Sequence, residues 1–597
     1  MAEVWSFNTT VRNPERMEAL LRILAEMEGA TFDAAGQEQF FGLQIKKRFY
    51  KPTRGTLGED LASEVYDSDQ NEDLSDDVVS KILEKYRGSV DSAGRGRTSV
   101  AVLNRFGLSI ALQSHGPVVI TPLGKKWLSG EIDDQELFTR FLLRWQYPNP
   151  IESGYSSFDI KPFPAVLHLI DQVNKKWKDL GNEPVGLSKE EYRLFALSLQ
   201  TQNSIHSAAE QIIQLRKQSR SLSGRDRSDY INNFVRQRVI RIFGYTNEEN
   251  LRKHTGNIKD YADSSLRYFR ISGLIALRGA GRYIDIAADM RAEADSVIKT
   301  LPLASVDFSS AEDYLSYLGD LSYELPWQNE ADLRNISENL TTVLESESED
   351  TSLTFDSSEL EDKTLPQQVT ILKDKINDVR IEKLRSLKHD LVALDEAIDK
   401  LSNITSSRYE TVTARPSLDF EWYASRALMV LNDAIRIEPS FKVGDDGLPT
   451  GFRGNTSDIE CEYDTFGMTV EVTLLNGRDQ WYAEGQPVMR HLRDFEDKLP
   501  EGKAAFCIFV APYVHRDTLN QFWTSNKFAY EGRRQNIIPL SIGEFVDFLL
   551  KSRVMIESGS LNHNTLKGLL DTIVETVDTH TDSFQWQSTI KEAVASW

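Results

Sequence analysis

Residues 457–475 read SDIECEYDTFGMTVEVTLL, and this run constrains the fold more than any other part of the chain. Apolar and polar positions alternate with period two on both sides of Asp464-Thr465-Phe466-Gly467. That pattern predicts two antiparallel strands joined by a turn. Ile459, Cys461, Tyr463, Met468, Val470, Val472 and Leu474 share one face; Asp458, Glu460, Glu462, Thr469, Glu471 and Thr473 share the other. If a four-residue turn closes symmetrically, Asp458 lies opposite Thr473 and Glu471 is its diagonal neighbour, about 7–8 Å away. Carboxylates crowded on one sheet face repel one another, and a divalent cation removes that cost. Mg²⁺ suits such a face, because it usually takes one or two carboxylates together with substrate phosphate oxygens. It then lowers the pKa of a bound water and stabilises charge on the phosphate. An exposed acidic hairpin with no ligand gives the same spacing.

The flanking segments favour the first alternative. Residues 418–433 read as a helix with Trp422, Ala424, Leu428 and Leu431 for packing and Glu421 in its first turn. After Gly477 come Glu484 and Pro487, and Pro487 fits the first position of a helix striped by Val488, Leu492, Phe495 and Leu499. Arg490 and His491 fall off that stripe near the helix N-terminus, where a phosphate can be held. Residues 504–511 (AAFCIFVA) form a continuous apolar strand, followed by a helix at 516–523, a strand at 537–540 and a helix at 542–550. This order predicts an α/β nuclease-like core.

The chain has 597 residues, a length prior of about four domains. Its 69 Lys and Arg against 91 Asp and Glu give a net charge of −22, which excludes a simple polybasic coat for nucleic acid or membrane. The charge is unevenly spread. Residues 216–282 carry 15 basic against 6 acidic side chains, and residues 301–363 carry 2 against 16. The basic block is able to neutralise phosphates. Two cysteines, Cys461 and Cys507, exclude a disulfide framework and a four-cysteine zinc site. With no apolar run long enough for a membrane span, a cytoplasmic location and no membrane partner are expected.

In the N-terminal half, residues 4–7 read as a short strand, Asn13 as a helix N-cap and Pro14 as the first helical residue. Residues 59–78 read as a polar surface loop, and 79–113 as two short helices separated by Gly94-Arg95-Gly96-Arg97. A strand ending at Thr121 and a helix from Pro122, with Lys125 and Lys126 near it, complete a winged-helix-like pattern. A second such pattern is a helix over 262–277 bearing Arg267 and Arg270, a glycine turn between Arg278 and Arg282, and a strand over 283–286. Residues 366–404 alternate charge along a helical period, with Val369, Leu372, Ile376 and Ile381 apolar, and read as an exposed connector.

Together these segments resemble a known family. Asp458, followed after twelve residues by Glu471-Val472-Thr473, resembles the PD-(D/E)xK nuclease motif. More specifically, the chain resembles the AlwI-type family of type IIS restriction endonucleases and their site-specific nicking relatives. The segments that carry this are 5–16 (WSFNTTVRNPER), 144–148 (RWQYP), 266–274 (LRYFRISGL), 420–422 (FEW), 471–473 (EVT), 486–491 (QPVMRH) and 509–512 (FVAP). The resemblance implies a mainly α DNA-recognition part with winged-helix-like subdomains over 1–160 and 161–300. It implies an acidic helical linker over 301–405 and an α/β cleavage domain over 406–597. It makes Asp458 and Glu471 metal-binding carboxylates, with the Val472 carbonyl as a further ligand and Mg²⁺ as cofactor. Glu421, Glu484 and His491 become additional members of the site. Arg267, Arg270, Arg278, Arg282, Lys125 and Lys126 are the basic candidates for DNA contact. Thr473 stands where the superfamily usually has lysine. The general base is then open among a hydroxide on the metal, Glu484 and His491, with Lys503 a remote substitute. The implied partner is double-stranded DNA, with a second copy or a small nuclease subunit for the second strand. Rivals are a strand-specific nickase, a winged-helix DNA-binding protein that does not cut, and a scaffold whose acidic hairpin is decoration.

Overall fold

The computed structural model describes residues 3–7, 14–66, 68, 72–113, 116–279, 281–349, 351–353, 355–406, 408–413, 415–431, 433–452 and 456–597. Asn13, read as an N-cap, and Ala280, in the expected glycine turn, lie outside them. The protein is mostly helical, with one mixed sheet in its C-terminal region. It divides into two compact units. The first takes in Met1–Gln44, Tyr86–Ile376 and Gly444–Thr450; the second takes in Ile45–Lys85, Asn377–Val443 and Gly451–Trp597. The stretch read as a linker, 301–405, is thus shared between them at Ile376.

In the first unit the aromatic residues of the N-terminal segments meet. Phe7 packs edge-on against Trp145 with ring centroids 5.0 Å apart and lies 4.9 Å from Tyr268, while Phe106 lies 4.5 Å from Phe141. Residues 4–7 are not a strand: Trp5 instead donates its backbone N–H to the Leu197 carbonyl and its indole N–H to that of Ala196. The Gly94-Arg95-Gly96-Arg97 run does not break a helix. It lies inside Ser92–Arg105, capped by Asp91, whose carboxylate accepts from the Gly94 N–H. A Cβ on Gly96 would sit 2.0 Å from the Gln37 carbonyl oxygen, so this glycine serves close helix packing rather than a turn. In the part of the chain that belongs to the second unit, the polar stretch after residue 58 also differs from expectation, forming the helix Glu59–Tyr66. Thr121 caps Pro122–Leu128 as its sequence suggests. The helix expected over 262–277 is Glu248–Ile271, and Ile275–Arg278 is already strand. That strand pairs with Tyr283–Ile286, which also pairs with Leu187–Ser188. Residues 366–404 form two helices, Leu365–Leu384 and Leu391–Asn403, whose apolar stripes (Leu372, Ile376, Leu394, Leu401) are buried rather than exposed.

The second unit holds a five-stranded sheet. In spatial order its strands are Ile537–Ser541, Ala504–Ala511, Phe466–Val472, Ile459–Glu462 and Arg436–Pro439. The first three run parallel to one another and the last two pair antiparallel. The central strand Phe466–Val472 is buried along its whole length, with the helices Pro416–Val430 and Gln486–Glu496 packed against it. Ser541 caps Ile542–Ser558 through a reciprocal capping box with Glu544. Among the described residues no helix is long and apolar enough to cross a membrane.

Candidate active site

The hairpin turns more tightly than its sequence suggests. Tyr463 donates its N–H to the Phe466 carbonyl, so only Asp464 and Thr465 form the loop. The Tyr463 and Phe466 rings stack 4.4 Å apart. Gly467 belongs to the strand, where a Cβ would fall within 2.7 Å of Phe495 on the neighbouring helix and of Leu499 just beyond its end. The register therefore shifts by two residues: Met468 faces Cys461 and Val470 faces Ile459. Carried one step further, it sets Asp458 opposite Glu471, not Thr473. The acids keep their common face and come closer. That face is not exposed; Glu471 is buried, and Asp458 and Glu484 are half-buried.

Asp458 accepts the Val472 N–H at 2.7 Å. Burial and the charges of Glu471 and Glu484 push its carboxyl well above the ordinary range, against the pull of that N–H. Glu471 is pushed up by burial and then by Glu484. Glu484 is raised by burial, offset in part by the Thr473 hydroxyl beside it. Thr473 thus answers to Glu484, a relation the motif does not reveal. His491 Nδ1 lies 3.0 Å from Glu471 Oε1. Burial and the adjacent Arg490 hold the imidazole below its usual pKa, so it is neutral at pH 7. When Glu471 is ionised it only accepts, and in that state Nδ1 carries the proton and Nε2 is left as a lone pair.

Two placements differ from expectation. The helix of Glu421 starts at Pro416, which puts Glu421 in the second turn. It reaches the site through Ser440, whose hydroxyl donates to Glu421 Oε2 at 3.4 Å while its N–H donates to the Asp458 carbonyl at 2.7 Å. No sequence signal marks Ser440. Pro487 does not start a free helix: Gly477–Gln480 runs through a π-helical turn, Trp481–Gly485, into Gln486–Glu496. The π turn accommodates the N–H that Pro487 lacks and carries Glu484. The anion-binding helix end expected near Arg490 and His491 is therefore occupied by backbone. Lys503 pairs with Glu462 at 3.1 Å at the turn end of the hairpin, far along the strand from Glu471.

The basic candidates separate into two groups. Arg270 is buried and grips Asp446 through two hydrogen bonds of 3.0 Å, with a third to the Pro449 carbonyl. Arg278 pairs with the Asp445 carboxylate. Both brace the 444–450 turn and are not free for DNA; the Asp445-Asp446-Gly447 turn signal was the available clue. Arg267 pairs with Asp263, and Arg282 is exposed and donates to the Gly279 carbonyl. Lys125 and Lys126 are exposed and pair with Glu28 and Glu131.

A family model for the AlwI restriction endonuclease matches residues 104–548, well over half of the chain. The chain belongs to the AlwI restriction endonuclease family. It is a type II restriction endonuclease, a DNA-binding nuclease of a restriction–modification system. Among solved structures it is similar to the small subunit (R.BspD6I2) of the heterodimeric restriction endonuclease R.BspD6I, at 24% identity over 33% of this chain and 98% of that one, with a TM-score of 0.28. The BpuJ1 endonuclease binding domain in complex with modified DNA matches at 14% identity over 53% of this chain and 96% of that one, TM-score 0.32. Restriction endonuclease FokI matches at 12% identity over 95% and 99%, TM-score 0.23. No curated protein matches.

AlwI-type and other restriction endonucleases typically use divalent metal ions. Among the described residues no three His, Cys, Asp or Glu side chains form a ready ligand cage. The donor set nonetheless suits Mg²⁺, which needs only one or two carboxylates and completes its shell with water and substrate phosphate. Glu484 raises the pKa of both Asp458 and Glu471, and Glu471 raises that of Asp458, the electrostatic state that a dication relieves.

Proposed function

We infer that this enzyme is a type IIS endonuclease: it hydrolyses DNA phosphodiesters a few base pairs to one side of a short asymmetric site, with Mg²⁺. The reading rests above all on the juxtaposition of Asp458 and Glu471, with the Val472 N–H fixing the first and His491 the second. Asp458, Glu471 and the Val472 carbonyl would hold the ion. When bound, it supplies charge stabilisation to the phosphate and acidifies water. Glu421 and Glu484 complete the acidic wall. Water adds in line to phosphorus and the bond to the 3′ oxygen breaks. The neutral His491 takes the proton of the attacking water at Nε2, while its Nδ1–H keeps Glu471 aimed. Residues 406–597 act as the cleavage domain. Residues 1–160 and 161–300 read DNA through winged-helix-like subdomains, with Arg267, Arg282, Lys125 and Lys126 as phosphate contacts.

A plasmid digest with Mg²⁺, followed by sequencing of the ends, tests this. Linear products cut at one fixed offset from a shared asymmetric sequence are expected. Products that stop at open circles would make the chain a strand-specific nicking enzyme that needs a second subunit. Ends that share no sequence would overturn site-specific offset cleavage.

A further inference from the structure

With Arg270 and Arg278 committed to Asp446 and Asp445, the question is where free positive charge lies. It lies on a neighbouring helical hairpin. The helix Gly224–Phe243 has Val239 as its only fully buried residue. Gly244 ends it in the left-handed conformation (φ 73°), and Asn247 caps the returning helix Glu248–Ile271. The hairpin is tied at its turn by Arg236–Glu248 at 2.6 Å and by His254, stacked on Phe243 at 4.4 Å and on Tyr245 at 4.9 Å. Near the same end Arg238 anchors the helix, lying 4.6 Å over the Phe195 ring and bonding Ser198 and Gln211. Residues 224–259 carry eight Arg and Lys against four Asp and Glu, in a chain of net charge −22. Arg241, Arg252 and Lys253 flank the turn, all exposed. Among the described residues none of the three has an ion-pair or hydrogen-bond partner. Burial and the unneutralised charge of Arg241 push Arg238 down to about 10. Tyr245 is 43% exposed beside them.

We propose that this hairpin is a DNA backbone clamp, in which Arg241, Arg252 and Lys253 neutralise phosphates of the duplex without reading its sequence. Three exposed, unpaired cations on a rigid helical turn match a polyanion with closely spaced charge. Ionic contacts of this kind act through counterion release and set affinity rather than specificity. The proposal rests on the DNA-cleaving function inferred above.

The test is equilibrium binding of the full-length chain to a random-sequence duplex in EDTA, from about 50 to 250 mM salt, comparing wild type with the triple variant Arg241→Ala/Arg252→Ala/Lys253→Ala. Loss of three phosphate contacts lowers the slope of log affinity against log salt by about 2–3. The variant Arg241→Lys/Arg252→Lys/Lys253→Arg is expected to keep the wild-type slope. An unchanged slope in the alanine variant, or an equal loss in the charge-conserving one, would overturn the clamp. Wild type that binds no duplex overturns both the clamp and the function inferred above. Wild type that binds through the hairpin yet never cuts with Mg²⁺ overturns only the function.

Discussion

Glu471 sits among groups that pull it in opposite directions. His491 hydrogen-bonds it, Glu484 repels it, and burial denies it water. Replacing it with neutral glutamine keeps the shape and removes the repulsion. The metal-free Glu471→Gln protein should therefore melt higher than wild type, by about 2–4 °C for each kcal/mol relieved. Mg²⁺ should raise the wild-type melting temperature with concentration and leave the variant unmoved, as a ligand that binds only the native wild type requires. His491→Ala removes both the proton acceptor and the hydrogen bond that aims Glu471. It should lower kcat by about 10²–10⁴ while DNA binding is unchanged, measured by single-turnover cleavage and gel retardation. The acids of this site were legible because strand alternation put them on one face. Their depth was not, because period two says which residues share a face but not what covers it. Ser440 and the Thr473–Glu484 relation were invisible for a similar reason: each depends on a neighbour distant in sequence.

At the scale of elements, the informative residues were those that let segments approach. Gly96 and Gly467 read as turn formers, yet each lies within a regular element against a neighbour that admits no Cβ. Local pattern cannot separate a glycine that bends the chain from one that makes room. The pattern did locate the helix from Pro122 and the buried strand Ala504–Ala511, since a cap and an unbroken apolar run are local signals. Arg270 carries a prediction here. Its pair with Asp446 is nearly water-free, with side chains 7% and 3% exposed. Arg270→Ala strands the buried Asp446 carboxylate and should cost about 3–5 kcal/mol in urea unfolding. Arg270→Lys should recover little, since an ammonium cannot reproduce the two-pronged contact.

His168, in the helix Pro162–Asp179, carries another. Burial lowers its pKa from 6.5, and Nε2 has no partner among the described residues. The unfolded chain therefore takes up a proton that the folded chain refuses. Stability from this group is complete above pH 6.5 and is lost as pH falls through that value toward the lower folded pKa. The melting temperature of wild type should fall over this range more steeply than that of His168→Gln, measured by calorimetry at fixed ionic strength.

For the whole molecule, net charge misleads. A chain at −22 that binds DNA must do so through local positive surface, and its binding should be strongly salt-dependent. Segment-by-segment charge found the basic block over 216–282, but not which of its arginines were already spent on Asp445 and Asp446. The central claim is that Glu471 belongs to the hydrolytic site and not to recognition. The most direct measurement compares wild type and Glu471→Ala on supercoiled plasmid with Mg²⁺, with gel retardation of the same preparations on duplex DNA in EDTA. The expected result is cleavage by wild type, none by Glu471→Ala, and equal retardation by both. Cleavage retained by pure Glu471→Ala would contradict the assignment of the active site.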